Sequence, residues 1–214
     1  MLPEVYSEEE MKAVEEHIEM CFGAFETVLH EVVSPDIHVD VCVIPPAEDR
    51  SYYTLVTMGM GAHRMNVPAE LAEYKLERAE LAIALPADWK MDKGAFQDER
   101  WYWPVRLLKA LARLPGECDT WLGWGHTVDN QEPFAPNTEL CASMLIGPQH
   151  VKEGGEVCVL PSGEDVNFYQ VLLLYRDEME FKQAHDAEAL LEEMDGLSFV
   201  VQPDRGGAFS AEVS

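Results

Sequence analysis

The chain has 214 residues, of which 47% are hydrophobic, and it carries a formal net charge of −25 at pH 7. This size and apolar content predict one compact domain with a sizeable core, and they exclude wholesale disorder. The N-terminus is acidic, apolar runs are short and the five cysteines are scattered, so we expect a cytoplasmic protein with no membrane span, disulfide framework or zinc knuckle.

The negative charge bears on the partners of the protein. It should repel nucleic acid and anionic membranes, and it should attract basic proteins or cations. Acidity can also serve solubility alone, so charge by itself leaves the partner open.

The first part of the chain predicts one helix and three strands. Ser7 and Glu10 form a capping-box pattern, and the apolar residues that follow recur at helical spacing, so we expect a helix over residues 7–31 that ends before Pro35. Residues 37–44 alternate as in a half-buried strand, and they should form a hairpin with residues 51–59. Residues 80–85 predict a third, short strand.

The second part of the chain predicts two more helices and two more strands. Pro104 suits a first helical turn, and a leucine-rich helix should follow until Pro115-Gly116. Residues 139–147 and 167–175 predict strands. The final helix, residues 179–194, should be interrupted near Asp186 and capped at Gly196, and the tail over residues 197–214 should be loose.

Two short segments contain residue types that occur in functional sites. His38, Asp40 and Cys42 share one face of the predicted strand, which favours either a metal or thiol site or simply a partly hydrated sheet face. "GMGAHR" (residues 59–64) offers exposed backbone N–H groups to an anion, but it lacks a complete phosphate-binding motif and equally suits a turn at the end of a strand.

A basic stripe occurs on the predicted leucine-rich helix. Arg106, Lys109 and Arg113 lie on one side of it at spacings of three and four. The stripe could dock an acidic segment of a partner, or it could pair with the many carboxylates of the chain itself. No serine lies in a G-x-S-x-G elbow, so nucleophilic catalysis has no support in the sequence.

"WLGWGHTVDN" (residues 121–130) is the most distinctive segment. Together with "YYTLVTMGMGAHRMNVP", "AELAIALPADW", "WPVRLLKALARLP", "EPFAPNTELCASMLIGP" and "FYQVLLLYRDEMEFK", in this order, it resembles the suppressor of fused family in its short bacterial form. The resemblance extends over about residues 25–195.

The resemblance implies a fold and a class of function. The fold is an α+β domain in which a mixed, largely antiparallel sheet packs against helices, here as a single domain over residues 1–214. Animal members bind zinc-finger transcription factors of Hedgehog signalling, and bacterial members have been proposed as immunity proteins that neutralise toxins of polymorphic toxin systems. We expect no second, C-terminal domain of the animal kind, so transcription-factor binding is not carried over.

Two interpretations of "WLGWGHTVDN" stay open at this point. In the first, it is a structural loop in which Gly123 and Gly125 allow a tight turn, Trp121 and Trp124 are buried, and His126 and Asn130 satisfy backbone groups. In the second, a ligand pocket lies near His126, Asp129 and Asn130.

The sequence therefore favours a non-enzymatic protein-binding module without cofactor or metal, whose partner is a basic protein such as a toxin domain. The alternatives are a small-molecule or metal-dependent enzyme built around His38, His63 and His126, and a structural scaffold. The oligomeric state is left open. The residues predicted to bind a partner are Arg106, Lys109, Arg113, Trp124, His126, Asp129 and Asn130.

Overall fold

The computed structural model describes residues 3–209. This part of the chain contains four α-helices and eight β-strands. The helices are α1 (Glu8–Cys21), α2 (Glu99–Cys118), α3 (Arg176–Ala184) and α4 (Ala187–Glu193). The strands are β1 (Thr27–Leu29), β2 (Asp40–Ile44), β3 (Tyr52–Met58), β4 (Ala79–Pro86), β5 (Thr127–Asp129), β6 (Ala142–Ile146), β7 (Val157–Val159) and β8 (Asp165–Leu174).

The strands form one sheet in the order β1-β2-β3-β4-β8-β6-β5, with β7 paired to the first part of β8. Every pairing is antiparallel except that of β4 with β8. The expected α+β fold with a mixed, largely antiparallel sheet is thus confirmed. The predicted hairpin of residues 37–44 with 51–59 is also present, as β2 and β3.

Helices cover both faces of the sheet. The leucines of α2 pack on one face, in a cluster with Leu55, Leu81 and Val171. On the other face, α1 packs over β2, β3 and the start of β8, and α3 with α4 packs over β6 and the end of β8. Successive side chains of β8 alternate between these clusters, as the period of a strand requires.

The N-terminal helix is shorter than predicted. The capping box of Ser7 and Glu10 is present, but α1 ends at Cys21 and residues 27–29 form the edge strand β1. Gly23 follows the helix at φ 127°, a conformation that ends the helical ladder. The predicted helix extended too far because Phe25 and Leu29 are four residues apart, a spacing that places side chains on one face of a strand as well as of a helix.

The leucine-rich helix is longer than predicted at both ends. The side chain of Asp98 accepts a hydrogen bond from the Arg100 N–H and caps α2, so Pro104 lies in the second turn. Pro115 lies inside the last part of the helix, which ends where Asp119 adopts a left-handed conformation at φ 49°.

The strand β2 begins three residues later than predicted and is buried on both faces. Ile37 makes only an isolated bridge to Glu4, and all five residues of β2 are buried. The prediction of a partly hydrated sheet face around Cys42 is therefore wrong, because α1 covers this face.

The C-terminal segment is packed where a loose tail was predicted. The Val201 N–H donates to the Ala84 carbonyl oxygen beside β4, and the Val201 side chain is buried. Farther along, Arg205 reaches Glu178 at the start of α3. The prediction also extended to residues 210–214, which lie outside the described part of the chain. The predicted interruption of the last helix is confirmed, because Asp186 caps α4.

Candidate functional site

The segment "WLGWGHTVDN" connects α2 to the edge of the sheet. The Gly125 N–H donates to the Leu145 carbonyl oxygen at 2.7 Å, and the Leu145 N–H donates to the His126 carbonyl oxygen at 2.9 Å. These bonds extend the pairing of β5 with β6 toward the turn. Gly125 has φ 75°, and a Cβ on Gly123 would lie 2.5 Å from the Trp121 ring, so both glycines are needed for the turn.

The two tryptophans of this segment differ in exposure. Trp121 packs against the His126 ring with centroids 4.2 Å apart, and its side chain is partly buried. Trp124 is 44% exposed, so the prediction that it is buried is wrong. A turn that inserts Trp121 under the loop leaves Trp124 pointing outward, where an indole can contact a partner.

The polar residues at the end of the segment bond to the backbone of the next two residues and to α3. Asn130 Nδ2 donates to the Glu132 carbonyl oxygen at 2.7 Å, in the turn that follows β5 and not in the glycine turn that precedes it. Asp129 accepts from the Gln131 N–H and from Arg176 at 2.8 Å, and the bond from Arg176 holds the pKa of the Asp129 carboxyl below its ordinary value.

His126 is the half-buried histidine of the segment. Burial lowers the pKa of its ring, and the charge of Lys182 adds to this, while a hydrogen bond with the Trp121 backbone opposes it. The ring is therefore expected to be neutral at physiological pH, which suits its packing against Trp121.

An open sheet edge lies beside these residues. β5 is the last strand of the sheet and pairs only with β6 among the strands of residues 3–209. Trp124, Asp129 and Asn130 are exposed next to it. The segment thus places an aromatic side chain and unpaired strand backbone together at one edge.

The basic stripe on α2 is paired within the protein. Arg113 contacts Glu31 at 2.7 Å and Asp36 at 3.0 Å, and Lys109 contacts Glu31 at 3.6 Å. Arg106 contacts Glu99 at 3.1 Å and donates to the Phe134 carbonyl oxygen at 2.8 Å. These contacts follow the second of the two interpretations, in which the stripe pairs with the chain's own carboxylates.

Glu31 is the centre of this pairing. Burial raises the pKa of its carboxyl, but hydrogen bonds from Ser34 and the Val39 N–H, together with the charges of Arg113 and Lys109, lower that pKa by more. The stripe therefore fixes the segment between β1 and β2 onto α2.

The three histidines of the alternative enzyme site have separate surroundings. His38 lies between the Ser34 hydroxyl at 2.7 Å and Asp40 at 3.1 Å, His63 contacts Glu4 at 3.1 Å, and His126 contacts Trp121. Within the described ranges, no group of three or more His, Cys, Asp and Glu side chains is arranged to hold a metal ion.

The segment "GMGAHR" does bind a carboxyl group through its backbone, and this carboxyl belongs to the chain itself. The N–H groups of Gly59 and Gly61 donate to the fully buried Glu80 carboxylate at 2.9 and 3.1 Å. Tyr6 and Thr57 hydroxyls donate to the same group. The sequence contained a signal for this, because Glu80 is the charged residue of an otherwise apolar strand.

Most basic side chains are occupied within the protein. Among the contacts between residues 3 and 209, ion pairs with carboxylates engage ten of the fifteen Lys and Arg residues. The charge that remains available to solvent is therefore predominantly negative. No helix in residues 3–209 has the length and apolarity needed to cross a membrane.

Comparisons with known proteins agree with this architecture. Residues 35–206 match the family model of the Suppressor of fused protein (SUFU). The chain is similar to an uncharacterized protein of Ureaplasma parvum, with 24% identity over 204 residues that cover 94% of this chain and 96% of the other.

Solved structures with the same fold have low sequence identity to this chain. A suppressor of fused homologue from Neisseria gonorrhoeae superposes with a TM-score of 0.66 at 14% identity, over 94% of this chain and 98% of the other. A chain of the Sufu–Fu complex superposes with a TM-score of 0.67 at 14% identity, over 97% of this chain and 94% of the other. Drosophila Suppressor of Fused superposes with a TM-score of 0.61 at 15% identity. The match covers 98% of this chain and 54% of the longer Drosophila protein.

Proposed function

Because the chain belongs to the suppressor of fused family, we propose that it is a protein-binding module that acts as an immunity-type inhibitor of a basic toxin domain. A solved relative is in a complex with a protein, Fu, which supports protein binding as the class of function. In this proposal the protein works by occupying its partner, without cofactor, metal or catalysis, in the cytoplasm.

The observation that carries the proposal is the distribution of charge. A net charge of −25 combines with internal pairing of most Lys and Arg side chains, so an approaching protein meets an acidic surface. Such a field attracts basic partners and raises their rate of association.

The contact site that we propose is the edge of the sheet at β5. Trp124 supplies an exposed aromatic anchor in the turn before β5, and the exposed Asp129 and Asn130 lie at the other end of that strand. The His126 ring packs on Trp121. Interfaces commonly depend on one aromatic anchor surrounded by polar groups. Arg106, Lys109 and Arg113 contribute as a framework, because their charges are engaged by Glu99, Glu31 and Asp36.

The experiment that tests the proposal is capture of the partner in the native host. The tagged protein is crosslinked gently, purified at low and high salt, and its partners are identified by mass spectrometry. We expect one basic protein in near-stoichiometric amount that is lost at high salt. Recovery of background proteins alone at both salt concentrations would contradict the proposal.

A further inference from the structure

A second strand, β7, also has an open edge. It pairs with β8 through Val157 to Val159, and none of the strands in residues 3–209 pairs with its other side. Beyond its two ends, the Phe168 N–H donates to the Glu156 carbonyl oxygen and the Leu160 N–H donates to the Glu164 carbonyl oxygen, both at 2.8 Å.

These two bonds determine which backbone groups of β7 are free. In an antiparallel ladder, hydrogen-bonded and non-hydrogen-bonded pairs alternate along the strand. Since residues 156 and 160 bond toward β8, residue 158 does so as well. The N–H and C=O groups of Val157 and Val159 therefore point away from β8, toward the open edge.

The two faces of β7 differ in chemistry. Cys158 is buried against α1, where its sulfur lies 3.6 Å from the Ala13 carbonyl oxygen. Val157 and Val159 project from the opposite face, because side chains alternate along a strand. They are 37% and 64% exposed, so this face offers apolar surface to a neighbouring strand.

The face toward α1 is acidic. Glu156 is exposed and shares the face of Cys158, and its charge acts on the His17 ring of α1. Glu9 and Glu16 are exposed and lie four and three residues from Ala13, so they occupy the side of the helix next to β7. Lys12 pairs with Glu16 at 3.7 Å, and the charge of Lys152 acts on the Cys21 thiol together with that of Glu156. Two basic groups therefore stand beside these three carboxylates, and the face stays negative overall.

We propose that the open edge of β7 binds an extended segment of a partner protein in which basic and apolar residues alternate. The backbone of that segment bonds to Val157 and Val159, its apolar side chains lie beside the two valines, and its basic side chains face Glu9, Glu16 and Glu156. Charge selects this occupant over a second copy of the chain, because a copy would bring further carboxylates to the same edge. The inference deepens the proposed function, on which its partner class rests.

The test uses a fluorescent peptide of about eight residues in which lysine and valine alternate, a length that spans β7. The control peptide has the same composition, with the lysines and valines in two blocks. Binding to the full chain is measured by anisotropy at low salt. We expect the alternating peptide to bind at least about tenfold more tightly than the block peptide, a difference of about 1.4 kcal/mol.

Three variants locate the site. Val159→Lys and Glu156→Lys should each weaken the alternating peptide about tenfold. Val32→Lys is the matched control, since Val32 is 96% exposed and lies outside the strands. It should bind the peptide as tightly as the unmodified protein. On binding, hydrogen exchange should slow at the Val157 and Val159 amides.

The remaining outcomes distinguish failure of the β7 site from failure of the proposed function. Equal binding of the two peptides, or equal weakening by Val159→Lys and Val32→Lys, would overturn the β7 site. A captured cellular partner that binds Val159→Lys normally would overturn the site while the proposed function stands. Peptide binding at β7 without any basic partner in cells would support the site and contradict the proposed function.

Discussion

Arg205 and Glu178 form a two-pronged ion pair in which both side chains are almost completely buried. Arg205 Nη1 lies 2.6 Å from Glu178 Oε1, and Nη2 lies 2.5 Å from Oε2. Arg205 also donates to the Leu173 carbonyl oxygen at the end of β8. This pair fastens the C-terminal segment to the sheet and to the start of α3.

Replacing Arg205 should destabilise the protein strongly. Arg205→Met leaves the Glu178 carboxylate buried without its counter-charge, so we expect the free energy of unfolding to fall by about 3–5 kcal/mol in urea denaturation. The matched control is Arg100→Met, whose partner Asp98 pairs with it at the surface, and it should leave the unfolding midpoint unchanged. Similar stabilities of the two variants would show that the buried pair does not hold the segment.

The buried carboxyl of Glu80 should make stability depend on pH in the direction opposite to that of most carboxyls. Burial raises its pKa above the ordinary value, although hydrogen bonds from Thr57, Gly59 and Gly61 oppose the shift. Below the ordinary pKa the carboxyl is protonated in both the folded and the unfolded state, and its contribution to stability is fully present. This contribution is lost as pH rises through the raised pKa of the folded state.

The measurement compares the unmodified protein with Glu80→Gln, which cannot titrate. Urea unfolding from about pH 4 to about pH 8 should show the stability of the unmodified protein falling relative to the variant. The raised pKa would be contradicted if the difference in unfolding free energy between the two proteins stays constant with pH, or if it shifts in favour of the unmodified protein as pH rises.

A side chain at Gly125 should destabilise the turn before β5. With φ 75° and a built Cβ 3.4 Å from that of Ala187, Gly125→Ala should cost about 1–2 kcal/mol of unfolding free energy. Gly147→Ala is the control, because nothing lies within 4 Å of its added Cβ. Thermal unfolding of both variants checks the prediction, and an unchanged midpoint for Gly125→Ala would exclude a constrained turn.

Trp124 should matter for binding more than for stability. Because its side chain is 44% exposed, we expect Trp124→Ala to lower the unfolding free energy by only about 1 kcal/mol. The same variant should raise the Kd for the captured partner at least about tenfold. Tyr74→Ala, which removes an exposed aromatic side chain elsewhere, should leave that Kd unchanged. Equal effects of the two variants would remove Trp124 from the contact site.

The sequence predicted the longer elements of the fold because they carry clear periodicity. The capping box of Ser7, the alternation in residues 37–44 and the break at Asp186 all correspond to observed elements. β1, β5 and β7 have three residues each, too few to show a period, so they were missed. The open edges of β5 and β7 could not be foreseen for the same reason.

The pairing of charges could not be read from the sequence either. Arg113 and Glu31 are 82 residues apart, and Arg205 and Glu178 are 27 apart. Their contacts follow from the order of strands, which hydrophobic patterns do not specify. The sequence did single out residues 121–130, but the outward position of Trp124 depends on how Trp121 packs beneath the turn.

The central claim is that the acidic surface steers a basic partner onto this protein. The most direct test is the association rate of the captured partner, measured by stopped flow from about 0.02 M to about 0.5 M salt. We predict that this rate falls steeply with ionic strength, while the dissociation rate changes little. An association rate that is insensitive to salt would contradict electrostatic steering.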